Sequence, residues 1–130
     1  MSKPIAKALD LVVGVDTHVI MVPSPGGPVP TPMPLPFSGS LQQLLVQNVL
    51  IDNKPVAVVG SVALGSPPHM PMGGPFQKPP SNTAIVSVGS QVVLIGNKGV
   101  ARAADPATCC NDPVDQDTGH VLATGIVLAG

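Results

Sequence analysis

The stretches NVLIDNKPVAVVGS (residues 48–61) and VVLIGNKGVARAAD (residues 92–105) decide the fold, because they are two copies of one pattern. They superpose without a gap at an offset of 44 residues. Each copy has an apolar β-type run, a polar turn at Asp52-Asn53 or Gly96-Asn97, and a second β-type run. Turns of this composition between two such runs are typical of β-hairpins. The repeat therefore predicts two equivalent hairpins.

Weaker echoes of the same unit occur elsewhere in the chain. Residues 12–18 (VVGVDTH) resemble residues 58–64 (VVGSVAL), and residues 32–37 (PMPLPF) resemble residues 71–76 (PMGGPF). These echoes predict two full copies of a hairpin-plus-strap unit and a partial copy split between the two ends of the chain, with a closing strand over residues 120–130. Because repeats bury their faces against one another, we expect a small all-β body with pseudo-threefold repeats.

The composition indicates that this body has a thin core. A chain of 130 residues predicts a single domain, residues 1–130. Phe37 and Phe76 are its only aromatic residues, and it holds 14 glycines and 17 prolines. The formal net charge is −1 and there is no run of Lys or Arg, which argues against nucleic acid as a partner. Some stabiliser other than apolar burial is expected.

Residues 23–37 (PSPGGPVPTPMPLPF) predict a Pro-rich strap. Proline occupies every second position from Pro28 to Pro36, and because proline has no N–H donor, this segment cannot be a central strand. Apolar residues alternate with the prolines and can pack downwards, which favours an extended segment lying over the domain rather than a flexible linker. Before the strap, residues 5–13 predict a short helical or strand segment.

All three histidines and both cysteines lie near the ends of the repeat units. His18 and His69 follow the second run of a unit, the adjacent Cys109 and Cys110 do the same, and His120 begins the closing strand. If the units are related by pseudo-threefold rotation, these side chains converge near one axis. Three imidazoles and one thiolate would complete a closed zinc site that joins the units. The alternative is that the histidines are separate surface or hydrogen-bonded residues and the thiols are small core groups.

The repeated turn resembles the motif of the PAAR-repeat family, which is named for a Pro-Ala-Ala-Arg sequence. Residues 53–60 (NKPVAVVG) and residues 97–105 (NKGVARAAD) are similar to the family pattern GKPAARxGD, although the first copy lacks the Arg and the second lacks the Pro. Residues 14–39 resemble the Pro-rich entry of PAAR-like domains. Residues 109–119 (CCNDPVDQDTG) resemble the segment that links such domains to Rhs-type toxins.

The resemblance implies a cone of β-hairpins with one structural zinc ion near its apex. The ligands that it implies are three histidines and one cysteine, which in this chain are His18, His69, His120 and Cys109. Cys109 is favoured as the thiolate because it lies four residues after Asp105, where the family often places a ligand. The neighbouring Cys110 is the alternative thiolate.

The resemblance also implies a mechanical, non-enzymatic function. The triangular base of the cone would sit on a trimeric VgrG-type spike of a type VI secretion or other contractile injection system. The tip would sharpen the spike for membrane puncture, contact the target membrane transiently and carry effector domains or toxins. We expect the protein to be made in the cytoplasm of the producing bacterium, with reduced thiols, and then to be delivered to the target cell at the spike apex.

Three other functions are compatible with parts of the sequence. A small zinc hydrolase could use carboxylates from residues 112–117 (DPVDQD), but four protein ligands would leave no position for a water molecule. An SH3 ligand could use residues 28–34, which lack the orienting Arg or Lys. A redox or metal-transfer site at Cys109-Cys110 would need basic neighbours, of which Arg102 is the nearest candidate.

Overall fold

A computed structural model of the protein describes residues 2–130, which form twelve β-strands and no helix. Consequently no helix in this part of the chain could span a membrane. The prediction of an all-β fold is confirmed. The predicted helical or strand segment over residues 5–13 does not form as one element: Ile5 and Lys7 make isolated bridges, a turn follows, and a strand begins only at Leu11. The strands are β1 (Lys3–Pro4), β2 (Leu11–Val22), β3 (Val29–Gln43), β4 (Val46–Ile51), β5 (Lys54–Val56), β6 (Val62–Gly65), β7 (Thr83–Val86), β8 (Leu94–Ile95), β9 (Lys98–Gly99), β10 (Pro106–Cys109), β11 (Gln116–Leu122) and β12 (Leu128–Ala129).

Six of these strands close into an antiparallel barrel in the order β10-β11-β2-β3-β6-β7. The barrel consists of three hairpins, β2–β3, β6–β7 and β10–β11. Its interior holds small and β-branched side chains together with Phe37 and Leu41. The other six strands form three two-stranded sheets, β4–β5, β8–β9 and β1–β12. These three small sheets share a second apolar cluster that includes Val56 and Val100.

A ring of backbone hydrogen bonds relates the three units. The N–H of Ala6 donates to the carbonyl of Ala101 at 2.8 Å, Ala101 donates to Ala57 at 2.9 Å, and Ala57 donates back to Ala6 at 3.0 Å. All three residues, which we call the alanine ring, are fully buried. Because a side chain larger than a methyl group at any of them would meet a densely packed interior, the small residue in the middle of each turn is a requirement of the fold.

The third copy of the repeated turn is residues 3–10 (KPIAKALD), which the sequence comparison did not identify. Each turn is closed by a hydrogen bond from a backbone N–H to the side-chain oxygen three residues later. The N–H of Lys7 donates to Asp10 at 3.0 Å, that of Val58 to Ser61 at 3.0 Å, and that of Arg102 to Asp105 at 2.7 Å. The partner strand of this first turn is β12, so the third small sheet does combine the two ends of the chain.

The equivalence of Ala6 and Ala57 also changes the alignment of the first two units. These residues are 51 positions apart, and so are His18 and His69. Residues 12–18 therefore correspond to residues 63–69 rather than to residues 58–64, which the sequence echo had indicated. The two histidines occupy matching positions in successive units.

The Pro-rich strap is the outer strand of the β2–β3 hairpin. Strand β3, which contains most of the strap, pairs with β2 from Val29 to Ser40. On its other side β3 pairs with β6 only from Gly39 onwards. In an antiparallel pair, every second residue directs its backbone N–H away from the partner strand. The prolines occupy these positions, so the N–H groups that they lack would have pointed to the free edge and not to β2. The same alternation buries Leu35 and Phe37 while the neighbouring Pro34 and Pro36 stay exposed. The expectation that this segment is not a central strand thus agrees with the free edge.

Replacing Ala104 by glycine is expected to raise the free energy of unfolding by about 0.5–1 kcal/mol. Ala104 has a φ of 70°, and the equivalent residue of the second unit is Gly60 with a φ of 96°. A non-glycine residue is strained by roughly 1–2 kcal/mol in this backbone region, so glycine relieves that strain in the folded state. Glycine also makes the unfolded chain more flexible, which lowers the stability gain by roughly 0.5–1 kcal/mol. Chemical denaturation measures the difference.

Gly60→Ala is the matched control for Ala104→Gly. No atom lies within 4 Å of a Cβ built at Gly60, so any loss of stability there reports the backbone conformation alone. We expect Gly60→Ala to destabilise by about 1 kcal/mol. Equal stability of all three proteins would contradict the prediction.

Candidate metal centre

Four buried side chains from separate parts of the barrel meet in one cluster. Each of Asp16, His18, His69 and Cys110 offers one ligand atom, and these atoms all lie within 4.8 Å of one another. The Nε2 atom of His69 is 2.8 Å from Oδ2 of Asp16, and the thiol of Cys110 donates to the same oxygen at 3.4 Å. A carboxylate, two imidazoles and a thiol are all ligand types that zinc accepts.

The cluster draws on all three barrel hairpins. Asp16 and His18 are two residues apart on β2, and side chains at that spacing share one face of a strand. His69 lies in the connection between β6 and β7, where its N–H donates to Oδ1 of Asn82 at 2.8 Å. Cys110 directly follows β10. The barrel symmetry therefore brings together residues that are far apart in the sequence.

His18 has a buried and unsatisfied imidazole. Its side chain is 1% exposed, and neither ring nitrogen has a hydrogen-bond partner among residues 2–130. The ring packs against His69, with centroids 5.0 Å apart, and against the edge of Phe76 at 5.7 Å. Since an unpaired buried polar group costs about 1–3 kcal/mol, this arrangement needs a partner for the ring. A metal ion at the cluster would supply one.

Asp16 is a carboxylate with no exposed surface. Its Oδ1 accepts from the hydroxyl of Thr118 at 3.3 Å, and among the described residues its only salt-bridge partner is His69. Burying a carboxylate charge is costly unless a cation compensates it. A divalent ion would provide that compensation.

Burial raises the pKa of both thiols, and the negative charge of Asp16 raises them further. For Cys109 the pKa rises to about 12, and for Cys110 the shift is in the same direction. Without a metal both groups are therefore neutral at physiological pH. Because the thiolate is the ligand form, metal binding at Cys110 would release a proton.

A family comparison agrees with this architecture. The family model described as PAAR motif matches residues 20–114 of the chain. The chain belongs to the PAAR-motif family. No curated protein and no solved structure was found to match it. The predicted family is thus confirmed, and PAAR-motif proteins are a structural, spike-tip family.

The structure brings together some of the residues that the sequence indicated for the metal site of this PAAR-motif protein. His18 and His69 are both in the cluster, and the thiol there is that of Cys110. Cys109 lies in the barrel core, where its sulfur packs against Gly119. His120 is outside the cluster: it lies on β11 opposite Val13 and Pro106, with its side chain exposed.

Asp16 is the member of the cluster that sequence reasoning missed. Its signal was the two-residue spacing of Asp16 and His18, which places both side chains on one face of a strand such as β2. The 51-residue offset, which becomes visible when the first turn is aligned at residues 3–10, links His18 with His69 but does not point to Asp16.

Proposed function

We propose that this PAAR-family chain caps a trimeric VgrG-type spike of a contractile injection system, and that a structural zinc ion holds its tip together. The observation that carries the proposal is a triad of exposed leucines on the small sheets. Leu50 on β4, Leu94 on β8 and Leu128 on β12 are 53%, 56% and 52% exposed. Three equivalent apolar contacts suit a threefold partner, because each subunit of a trimer can contact one of them.

The pairing register supports the equivalence of these leucines. Leu50 pairs with Pro55, Leu94 pairs with Gly99, and Leu128 pairs with Pro4. The partners occupy the same position of the three repeated turns. A lysine stands next to that position in every unit, and these lysines are Lys3, Lys54 and Lys98. The three small sheets thus present the same apolar and basic groups three times.

Mixing the protein with its cognate spike should give a complex of one chain per trimer by size-exclusion chromatography with light scattering. Changing Leu50, Leu94 and Leu128 together to Asp is expected to weaken binding by at least about 100-fold, because three buried apolar contacts become three desolvated charges. Leu122→Asp is the matched control, since Leu122 is 45% exposed on barrel strand β11 rather than on a small sheet. Failure of the unmodified protein to bind would refute the capping function.

For the metal centre we propose zinc bound by Asp16, His18, His69 and Cys110, one ion per chain. This set replaces the expected third imidazole by a carboxylate. Four protein donors complete the tetrahedral shell of a structural zinc site. With one carboxylate and one thiolate, the ligands carry two negative charges that balance the ion. The unsatisfied His18 ring and the fully buried Asp16 carboxylate, whose ion-pair partner His69 is itself a proposed ligand, support this assignment.

The remaining parts of the proposed function follow from the position of such a protein at the end of a spike. It would sharpen the spike for membrane puncture, touch the target membrane transiently, and serve as an adaptor for effectors such as Rhs-type toxins. It would be made in the cytoplasm of the producing cell and delivered at the spike apex. The competing zinc-hydrolase function needs an open coordination position, whereas the proposed site uses all four positions for protein ligands.

A further inference from the structure

The geometry points to Asp112 as a positioning residue that orients His18 for metal binding. This inference rests on the metal centre proposed above. The Nδ1 atom of His18 lies 3.4 Å from Oδ2 of Asp112, and the Asp112 side chain is only 5% exposed. Asp112 is not one of the four clustered residues. It therefore lies beside the cluster, next to one of its proposed ligands.

The carboxylate of Asp112 is held in place by the backbone on both sides of His18. Its Oδ2 accepts from the N–H of Val19 at 2.9 Å, and the N–H of Asp112 donates to the carbonyl of Thr17 at 2.8 Å. The preceding residue adds a third link, because Oδ1 of Asn111 accepts from the N–H of Thr17 at 2.7 Å. The position of the carboxylate relative to β2 is thus fixed by contacts that do not involve the imidazole.

A fixed acceptor at Nδ1 selects one tautomer of His18. A neutral imidazole has one N–H and one lone pair. If Nδ1 carries the hydrogen and turns it to Asp112, then Nε2 keeps its lone pair for the metal. Ligand histidines are commonly held in this way by a carboxylate, which also makes the coordinating nitrogen more basic. At 3.4 Å the contact is not a hydrogen bond in this structure, since neither nitrogen of the ring has a hydrogen-bond partner among residues 2–130. A small rotation of the ring would complete it and give both nitrogens a role.

The variant that tests the inference is Asp112→Asn, compared with Asp115→Asn. The amide oxygen of Asn can still accept from Val19, so the backbone link is retained while the carboxylate is lost. Asp112 and Asp115 both line a cavity of about 150 Å³ beside His18 and Cys110. Asp115, however, makes no salt bridge with the His18 imidazole. Zinc affinity is measured by competition with a chromophoric chelator, and stability of the metal-free proteins by chemical denaturation.

Asp112→Asn is expected to raise the dissociation constant for zinc by about 10–100-fold, the usual effect of losing such a partner, with little change in metal-free stability. Asp115→Asn should bind zinc within about twofold of the unmodified protein. Unchanged affinity in Asp112→Asn, or an equal loss in both variants, would overturn the positioning role while leaving the metal centre intact. If the unmodified protein binds no zinc, both proposals fail.

Nitrogen-15 NMR of the zinc-loaded, unmodified protein gives a second readout that needs no variant. The His18 ring should show a protonated Nδ1 and a metal-bound Nε2. Zinc on Nδ1 would refute the orientation by Asp112, whatever the affinity of the variants.

Discussion

Removing the metal with a strong chelator is expected to lower the melting temperature of this protein by on the order of 15 °C. A ligand present at a thousand times its dissociation constant stabilises the folded state by about 4 kcal/mol, and a domain of this size shifts by roughly 4 °C per kcal/mol. The physical reason lies in the cluster: without an ion, the fully buried Asp16 carboxylate has only His69 as an ion-pair partner, and Nε2 of His18 has no partner among residues 2–130. Differential scanning calorimetry, with elemental analysis of each sample, measures the effect.

Re-adding different ions provides the control for metal removal. Zinc should restore the original melting temperature, whereas magnesium should not, because it prefers six oxygen ligands. The structural zinc centre would be refuted if the chelated sample is free of metal and still melts at the original temperature.

His69→Ala is expected to reduce zinc content from one ion per chain to less than about a tenth, whereas His120→Ala should retain the full amount. His69 belongs to the cluster and also pairs with Asp16 at 2.8 Å, so its loss removes a ligand and leaves a buried carboxylate unpaired. We expect the dissociation constant of the His69→Ala protein for zinc to rise at least about 100-fold. Losing a residue that only orients a ligand typically raises this constant by about 10–100-fold. The measurement is elemental analysis after dialysis against a weak chelator.

The two adjacent cysteines extend the same comparison. Cys110→Ala should lose zinc as His69→Ala does, and Cys109→Ala should keep it while losing stability, because Cys109 fills the barrel core. A fully loaded His69→Ala or Cys110→Ala protein would remove that residue from the site. Zinc loss in His120→Ala would instead favour the three-histidine set that the family resemblance implied.

The hairpins could be predicted from the sequence because their signal is local. Each of the two aligned copies carries its strands and its turn within 14 residues, and the alternating prolines exclude a central strand directly. The first turn was missed because its partner, β12, lies at the other end of the chain. Residues 3–10 (KPIAKALD) do share the pattern of residues 98–105 (KGVARAAD), but without a neighbouring partner strand they do not display a local hairpin.

The candidate site was partly predictable for a related reason. Repeat symmetry led to His18 and His69, but not to Asp16, since burial of a carboxylate depends on packing that the sequence does not display. His120 shows that residue type alone does not identify a metal ligand. Val121 is buried, and alternation along β11 directs the neighbouring His120 outwards. The period of two was a sign that this imidazole does not face the interior.

The pairing of β1 with β12 has a consequence for how the protein is made. During synthesis Lys3 and Pro4 leave the ribosome long before their strand partners Leu128 and Ala129. The β1–β12 sheet therefore cannot form until both strands have left the ribosome. A contact between residues so far apart in the sequence also carries a large loop-closure cost, which slows folding. Nascent chains should consequently complete this fold only after β12 has left the ribosome.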